Sequence, residues 1–321
     1  MKPDPRRMAA VSAGHPSSFS PWPHRVALGL AWATFPLLFI GGLVTSLGAG
    51  LAVPDWPTTF GYNMFLYPWS RMIGGIFYEH SHRLIASCVG LLSIVLAVTF
   101  WIKEDRRWLR WLGIGALGMV ILQGVLGGLR VILLQHTLAI IHACFAQAFF
   151  ALTVSLALFT SQEWRAQKPP SIDDGGRLRR LASITTALVY IQIVFGALLR
   201  HTGERLDGHL LFAALVAIHV VLLLLRISNH HGAELVLVRP AYWLGGLLLV
   251  QLSLGTAAYL GKFTALLPLG GGALVLTATT HLIVGALMLA TSLTITLRAF
   301  HHSHRRRSRQ DRTVLKQQYS L

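Results

Sequence analysis

The chain has 321 residues, of which 54% are hydrophobic and only 12% are charged, and its mean hydropathy is +0.57. This composition excludes a soluble protein with a large core and indicates an integral membrane protein. The formal net charge of +16 suggests nucleic-acid binding at first sight, but the distribution of the basic residues argues against it. The two cysteines, Cys88 and Cys144, lie in apolar runs and form neither a CxxC motif nor a secreted disulfide framework.

The apolar residues are grouped in runs long enough to cross a membrane. A helix needs roughly 20 apolar residues to span the hydrocarbon core of a bilayer. Eight runs reach this length, separated by segments that are polar or contain proline or glycine. The sequence therefore predicts an all-α integral membrane protein with eight transmembrane helices. The predicted helices are residues 26–53, 80–102, 111–133, 137–160, 181–200, 208–226, 241–261 and 274–297.

The basic residues are concentrated on one predicted side of the membrane. Of the 28 lysines and arginines, 22 fall in the amino-terminal tail, in alternate loops and in the segment from Arg298 onward. The positive-inside rule places this side, with both termini, in the cytoplasm. The net charge is then mainly a topology signal, and no nucleic-acid partner is expected. We expect the basic tail to be solvated and disordered near lipid headgroups.

Similarity between the two halves of the chain predicts an internal repeat. Segment 41–48 of the first predicted helix matches segment 196–203 of the fifth at two glycines and one leucine. A glutamine four residues before a glycine recurs at Gln123, Gln192 and Gln251. Since each unit has an even number of helices, the two tandem four-helix bundles are predicted to be related by a pseudo-two-fold axis along the membrane normal. The predicted parts are a cytoplasmic tail (1–25), a first half (26–160), a cytoplasmic linker (161–180), a second half (181–297) and a basic cytoplasmic tail (298–321).

Each even-numbered predicted helix carries a histidine near its outer end, followed one turn later by a small residue. One such histidine is usually a packing residue, but four at similar depth predict ligands. Zinc prefers a compact tetrahedral set, for which the sequence offers no HExxH or similar pair. Two helices of a bundle can instead offer one axial imidazole each to a haem. The predicted pairs are His82 with His142 and His209 with His281, one haem iron per half.

Other ionisable groups accompany these histidines at membrane depth, where they are costly and favour a functional hypothesis. Glu79 lies one helical turn before His82, whereas the corresponding position before His209 is Leu206. This asymmetry suggests that one site does chemistry and that the other carries electrons or stabilises the fold. Four arginines near the outer ends are candidates either for haem propionates or for lipid headgroups: Arg83, Arg130, Arg200 and Arg205.

Several segments carry a resemblance to a known family. They are Gly41 through Ser46 followed by Ala49 through Pro57, Glu79 through Arg83, Gln123 through Gly128, and Gly196 through Gly203. With these motifs the chain resembles the haem A synthase family of the cytochrome oxidase assembly pathway, over all but its two tails. The resemblance implies oxidation of the C8 methyl of haem O to a formyl group by successive hydroxylation, which makes haem A for terminal oxidases.

The resemblance also implies roles for individual residues and partners. Glu79, His82 and His142 would be catalytic, with His82, His142 and Arg83 binding the substrate haem. His209 and His281 would bind a resident haem b. Haem O synthase and an unidentified electron donor are the expected partners beside the lipid bilayer. Because no presequence rich in arginine and serine precedes the first helix, the expected location is a bacterial cytoplasmic membrane.

Two alternatives remain open from the sequence: a dihaem b-type membrane electron-transfer protein, and a haem assembly or transport protein without turnover. The chain also departs from the family in its outer loops. Many members have a cysteine pair there, but loops 54–78 and 201–207 contain no cysteine. The second outer loop also lacks a counterpart of Pro54 through Pro57.

Overall fold

The computed structural model describes residues 20–165, 175–264 and 266–318, and it describes the burial and contacts of side chains as far as residue 301. Eight of its helices are long and apolar enough to cross a membrane, so the predicted all-α membrane fold is confirmed. A one-turn helix, Gln162–Arg165, follows the fourth of them. The eight helices are α1 (Trp22–Ser46), α2 (Gly75–Lys103), α3 (Arg107–Ile132), α4 (His136–Thr160), α5 (Gly175–Thr202), α6 (Leu206–His230), α7 (Leu235–Phe263) and α8 (Gly271–Gln318).

Most helix boundaries differ from the sequence-based prediction, and three of the differences change the interpretation of the sequence. Helix α1 ends at Ser46 instead of residue 53, because Gly48 has a φ of +64° and the Ala49 N–H bonds back to the Val44 carbonyl. Helix α2 begins at Gly75 instead of residue 80, so Glu79 lies within the helix and not just before its first residue. Helix α8 continues to Gln318, so the tail that was expected to be disordered is helical over most of its length.

The helices form two rings of four. In the first half α1 contacts α2 and α4, and α3 contacts the same two helices. In the second half α5 contacts α6 and α8, and α7 also contacts both. The halves meet where α1 packs on α8, α4 on α5, and α4 on α8. This set of pairs is unchanged when each helix is exchanged for its counterpart in the other half, as the predicted two-fold relation requires.

Part of the interface between the halves is an apolar cluster that includes small residues. Leu38 and Phe150 of the first half pack against Ile283, Ala286 and Ala290 of α8. Because lipid tails are as apolar as these side chains, close packing rather than the hydrophobic effect holds membrane helices together. The two alanines are one helical turn apart and let α8 approach its neighbours closely.

A cluster of ion pairs joins the halves at the end of the bundle that is predicted to be cytoplasmic. Glu104, only 1% exposed, pairs with Arg106 at 2.8 Å and with Arg165 of the one-turn helix at 2.5 Å. Glu163 of that same helix pairs with Arg298 of α8 at 2.9 Å. Burial opposes the ionisation of Glu104, but hydrogen bonds and charge from the two arginines outweigh it and lower the pKa of this carboxyl group. The one-turn helix thus connects the α2–α3 loop to the second half.

We predict that Glu104→Gln lowers the free energy of unfolding by about 3 kcal/mol, because it removes the buried negative charge that pairs with Arg106 and Arg165. Thermal unfolding of the detergent-solubilised protein measures the effect. Asp105→Asn makes the same charge change at the next residue, which is exposed, and serves as the matched control. Equal losses from the two substitutions would contradict the role of the cluster.

Candidate functional site

The four predicted histidines lie on the four even-numbered helices, and each has a buried ring nitrogen without a partner. The structure leaves the Nδ1 atom of each ring buried without a hydrogen bond. Buried polar atoms are normally hydrogen-bonded, and an exception in a native protein points to a missing ion or ligand. The orphaned nitrogens therefore fit a metal-bearing group. The four residues are His82 on α2, His142 on α4, His209 on α6 and His281 on α8.

Each of these rings faces a glycine on a neighbouring odd-numbered helix. A Cβ atom at any of the four glycines would meet the ring's Cε1 atom at a distance shorter than nine in ten real Cβ contacts. Each glycine of the repeat noted in the sequence thus leaves room for a histidine ring, a role that sequence reasoning missed. We call these four glycines the histidine seats. The hypothetical Cβ–Cε1 distances are 2.9 Å for Gly41 and His82, 3.2 Å for Gly127 and His142, 3.3 Å for Gly196 and His209, and 3.0 Å for Gly255 and His281.

The histidines come together in the predicted pairs. The ring centroids of His209 and His281 are 6.3 Å apart. Two imidazoles on opposite sides of one metal ion are separated by about 6 Å between centroids, because each metal–nitrogen bond is about 2 Å long. His82 and His142 are close enough to interact electrostatically. Among the described residues no group of three or more His, Cys, Asp or Glu could hold a metal ion. The donor set therefore fits haem iron, which needs only two protein ligands.

A glutamine one turn before the glycine accompanies three of the four histidines. The Gln192 amide nitrogen lies 3.4 Å from His209 Nε2, and that of Gln251 lies 3.3 Å from His281 Nε2. In the first half the Gln123 amide donates instead to the main-chain carbonyl of His142, at 3.1 Å. The Oε1 atom of each glutamine is buried without a partner. Since α1 has a leucine one turn before Gly41, the second pair is flanked by two amides and the first by one.

Glu79 and Arg83 connect α2 to the loop that follows α1. One oxygen of Glu79 accepts from Arg83 at 2.9 Å and the other accepts from the Val53 N–H at 3.0 Å. Arg83 also donates to the carbonyl oxygens of Val53, Asp55 and Thr58, at 3.0, 2.7 and 3.1 Å. Arg83, which was predicted to bind the cofactor, therefore holds the loop in this structure. Glu79 is 4% exposed, and both of its carboxylate oxygens likewise accept hydrogen bonds that hold the loop.

The loop, residues 47–74, lies over the start of α2 and the end of α3. Trp56 packs on Gly128, where an added Cβ would come within 2.3 Å of the indole ring. Arg130 of α3 donates to the Gly50 carbonyl at 2.8 Å. Because Gly128 follows the glycine that faces His142, these contacts cover the outer end of the first histidine pair. We call residues 47–74 the cover loop.

Asp55 shapes the turn of the cover loop. Its carboxylate accepts from the Thr58 hydroxyl and from the Phe60 and Gly61 N–H groups, at 2.5, 2.7 and 2.9 Å. Partial burial opposes ionisation, but the hydrogen bonds from Gly61, Thr58 and Phe60 outweigh it. The pKa of this carboxyl group is therefore lower than its ordinary value of 3.8.

In the described part of the second half only residues 203–205 connect α5 to α6, whereas residues 47–74 connect α1 to α2. Two of the arginines that were candidates for propionates or headgroups lie near this short connection. Arg200 donates to the Gly42 carbonyl of α1 at 2.6 Å, and Arg205 is exposed at the start of α6. His219 bonds to the Leu215 carbonyl of its own helix at 2.9 Å, and His136 is exposed.

We predict that Gly255→Val displaces the His281 ring and weakens haem retention by the second pair at least tenfold. Overpacking of a filled site typically costs about 1–3 kcal/mol. Gly246→Val on the same helix is the control, because nothing lies within 4 Å of its added Cβ. Pyridine haemochrome spectra after gel filtration measure the haem retained. Equal retention by the two variants would contradict the seat role of Gly255.

We predict that the cover loop loses stability in acid through Asp55. Because its folded-state pKa is lowered, its contribution is complete above the ordinary value and disappears as the pH falls through the folded-state pKa. At pH 7 hydrogen exchange should protect residues 55–61 about tenfold more in the wild type than in Asp55→Asn, since a hydrogen bond to a charged group contributes about 1.5–3 kcal/mol. The difference should shrink as the pH falls below 3.8 and the carboxyl group becomes protonated. A difference independent of pH would exclude this mechanism.

Comparisons with known proteins agree with the geometry. A family model described as cytochrome oxidase assembly protein matches residues 24–208, more than half of the chain. The chain is 30% identical over 173 residues to a protein of Shouchella clausii named Heme A synthase, covering 53% of this chain and 56% of that one. It is 25% identical over 260 residues to the Heme A synthase of Geobacillus kaustophilus, covering 70% and 78% of the two chains.

A more distant bacterium provides a further relative. The Heme A synthase of Brucella ovis is 30% identical over 151 residues, which cover 45% of this chain and 40% of that protein. The alignments with the Shouchella and Brucella relatives thus span about half of those proteins. The family match contains the first histidine pair, the cover loop and all of α5. From this match, this protein belongs to the cytochrome oxidase assembly protein family.

Proposed function

We propose that this protein is a haem A synthase, an oxidoreductase that converts the C8 methyl of haem O to a formyl group by successive hydroxylation. The observation that carries the proposal is the asymmetry between two similar histidine pairs. Both pairs have glycine seats, but only the first has a cover loop and a carboxylate one turn from a ligand. The relatives named Heme A synthase support the same assignment.

The first pair is the proposed substrate site. His82 and His142 would hold the iron of haem O from two sides, which fixes the macrocycle relative to the surrounding helices. Trp56 and the cover loop would exclude water from the outer end, so that the oxidised carbon is shielded from side reactions. Each of two hydroxylations replaces one methyl hydrogen by a hydroxyl group and oxidises the carbon by two electrons, so each requires an oxidant and an oxygen atom from outside the chain. The resulting gem-diol loses water to leave the formyl group.

Glu79 is proposed to act first as a positioning residue for the cover loop. Its two oxygens hold Arg83 and the Val53 N–H, and Arg83 in turn holds three loop carbonyls. Opening this ion pair would release the loop and let the substrate enter. The catalytic role predicted from the sequence stays part of the proposal, because the carboxylate is one turn from His82 and would face the substrate when the loop opens.

The second pair is the proposed site of a resident haem b. His209 and His281 would hold its iron, and the amides of Gln192 and Gln251 lie beside the Nε2 atoms of these two rings. Bound there, a haem supplies reversible one-electron chemistry. The chain itself holds both rings against glycines and fixes the distance between the two rings.

The surroundings of the enzyme follow from the same proposal. The protein is a multi-pass membrane protein, and we propose the bacterial cytoplasmic membrane with both termini in the cytoplasm. The cover loop would then lie on the outer face. Haem O synthase would deliver the substrate, whose farnesyl chain suits a bilayer, and a separate electron donor would complete the reaction.

A dihaem b-type electron-transfer protein is the second candidate. The observation in its favour is that both oxygens of Glu79 are hydrogen-bonded, as they would be in a purely structural ion pair. In such a protein the two haems would be chemically unchanged. Substituting Glu79 would then affect stability and leave pigment identity as it was.

Pigment extraction distinguishes the two functions. We expect the protein co-expressed with haem O synthase to contain haem A or its hydroxylated precursor, identified by reversed-phase chromatography and mass spectrometry. Glu79→Gln should reduce this product at least tenfold, since it removes both the ion pair with Arg83 that holds the cover loop and the carboxylate itself. Glu204→Gln, an exposed carboxylate in the short α5–α6 connection, is the matched control and should leave the product unchanged. Haem b alone in every preparation would overturn the synthase assignment.

The two histidine pairs should separate in the same assay. His82→Ala and His142→Ala are expected to abolish haem A formation while one haem b per chain remains. His209→Ala and His281→Ala are expected to lose that haem b. Loss of both pigments from every single substitution would argue against two independent sites.

A further inference from the structure

Arg200 is a charged residue within a transmembrane helix that bonds only to neutral groups. Its guanidinium donates to the Gly42 carbonyl at 2.6 Å and to the Ser46 hydroxyl at 2.5 Å, both on α1. It also donates to the Ala278 carbonyl of α8 at 3.4 Å. Within the described part of the chain no carboxylate forms an ion pair with it. A cation at membrane depth is costly and is normally retained for a function.

Arg200 lies near the second histidine pair. Arg200 interacts electrostatically with His281, which is three residues from Ala278 on α8. It also lies beside the contact between the halves, where the Ser46 and Thr279 hydroxyls are 2.9 Å apart. Its charge therefore acts on the second pair from a position at the contact between the halves.

The first pair has two arginines and one carboxylate nearby. Arg130 interacts electrostatically with His82 and His142, and Arg83 interacts with His82. The carboxylate of Glu79 pairs with Arg83 at 2.9 Å and also interacts with Arg130. The first pair thus lies among charges of both signs, whereas the charge of Arg200 beside the second pair has no carboxylate partner among the described residues.

We propose that Arg200 is a positioning residue that sets the reduction potential of the haem held by His209 and His281. This inference rests on the proposed function, in which that haem is resident and redox-active. A ferric haem accepts one electron to become ferrous, which lowers its net charge by one. A fixed cation nearby favours the form with more negative charge, and it does so strongly where the effective dielectric constant is low. Arg200 therefore raises the midpoint potential.

Redox titration of the purified holoprotein tests the proposal. The His82→Ala background leaves one haem, bound by the second pair, and optical titration gives its midpoint potential. We expect Arg200→Gln to change the ferrous-to-ferric ratio at fixed potential by about tenfold, a downward shift of about 59 mV for a one-electron couple. Arg200→Lys keeps the charge and should retain most of the original potential.

Two substitutions at Ser46 separate charge from structure without altering Arg200. Ser46→Ala removes one hydrogen bond to the guanidinium and should leave the potential unchanged. Ser46→Asp places a carboxylate against the guanidinium and should lower the potential as Arg200→Gln does. These variants keep the test decisive if Arg200→Gln does not accumulate.

The possible outcomes separate this proposal from the enzyme assignment. An unchanged potential in folded Arg200→Gln or Ser46→Asp protein would overturn the role of Arg200, as would equal shifts in Ser46→Ala and Ser46→Asp. The expected shifts in a protein that forms no haem A would support Arg200 and overturn only the synthase activity. Unchanged haem content in His209→Ala and His281→Ala would overturn the haem site itself, and the proposal with it.

Discussion

At four places in this protein an imidazole ring packs so closely on the neighbouring helix that a side chain on the facing residue would displace it. Each of the four histidines is accommodated by a glycine on the adjacent odd-numbered helix. The contact fixes how closely the helices approach, the depth of the ring and the direction of its nitrogens. A well-packed interior transmits such constraints, since small volume changes are felt by neighbouring residues. The helix register in both halves therefore depends on these contacts.

The two halves use one framework for different surroundings. Beside the first pair, a glutamate and an arginine on α2 hold a loop of more than twenty residues over the site. Beside the second, three residues turn the chain from α5 into α6, and an arginine reaches across to α1. The shared histidines and glycines determine which group can be bound in each half. The polar groups around them distinguish the covered first site from the second site.

Much of this organisation was visible in the sequence. Apolar run length predicts the eight spans, because the bilayer sets the length of a helix. The shared depth of four histidines predicts the two pairs, since helix geometry relates sequence position to depth. The end of α1 was not predictable in this way, because Leu51, Ala52 and Val53 are as apolar as a span and the break depends on the backbone conformation of Gly48.

The partners of the arginines were equally inaccessible from the sequence. Arg83 is adjacent to His82 in the chain, so a cofactor contact was a reasonable prediction, yet its guanidinium bonds to loop carbonyls 25 to 30 residues away. Arg200 bonds to a carbonyl 158 residues away. Such contacts depend on how loops and halves assemble, which periodicity and spacing do not specify. The glycines were recognised as a repeat, but their partners became known only from the structure.

The arrangement of helix contacts between the halves has a consequence for how the two sites can differ. Its pattern, α1 on α8, α5 on α4 and α4 on α8, is that of an isologous interface, the kind formed by two identical subunits. In a homodimer every substitution appears twice, so a carboxylate added to one site is added to both. In a single fused chain each copy can change alone. Glu79 stands opposite Leu206 in the repeat, and Arg200 stands opposite Thr45. Covalent fusion is thus what permits one half to carry a charge that the other lacks.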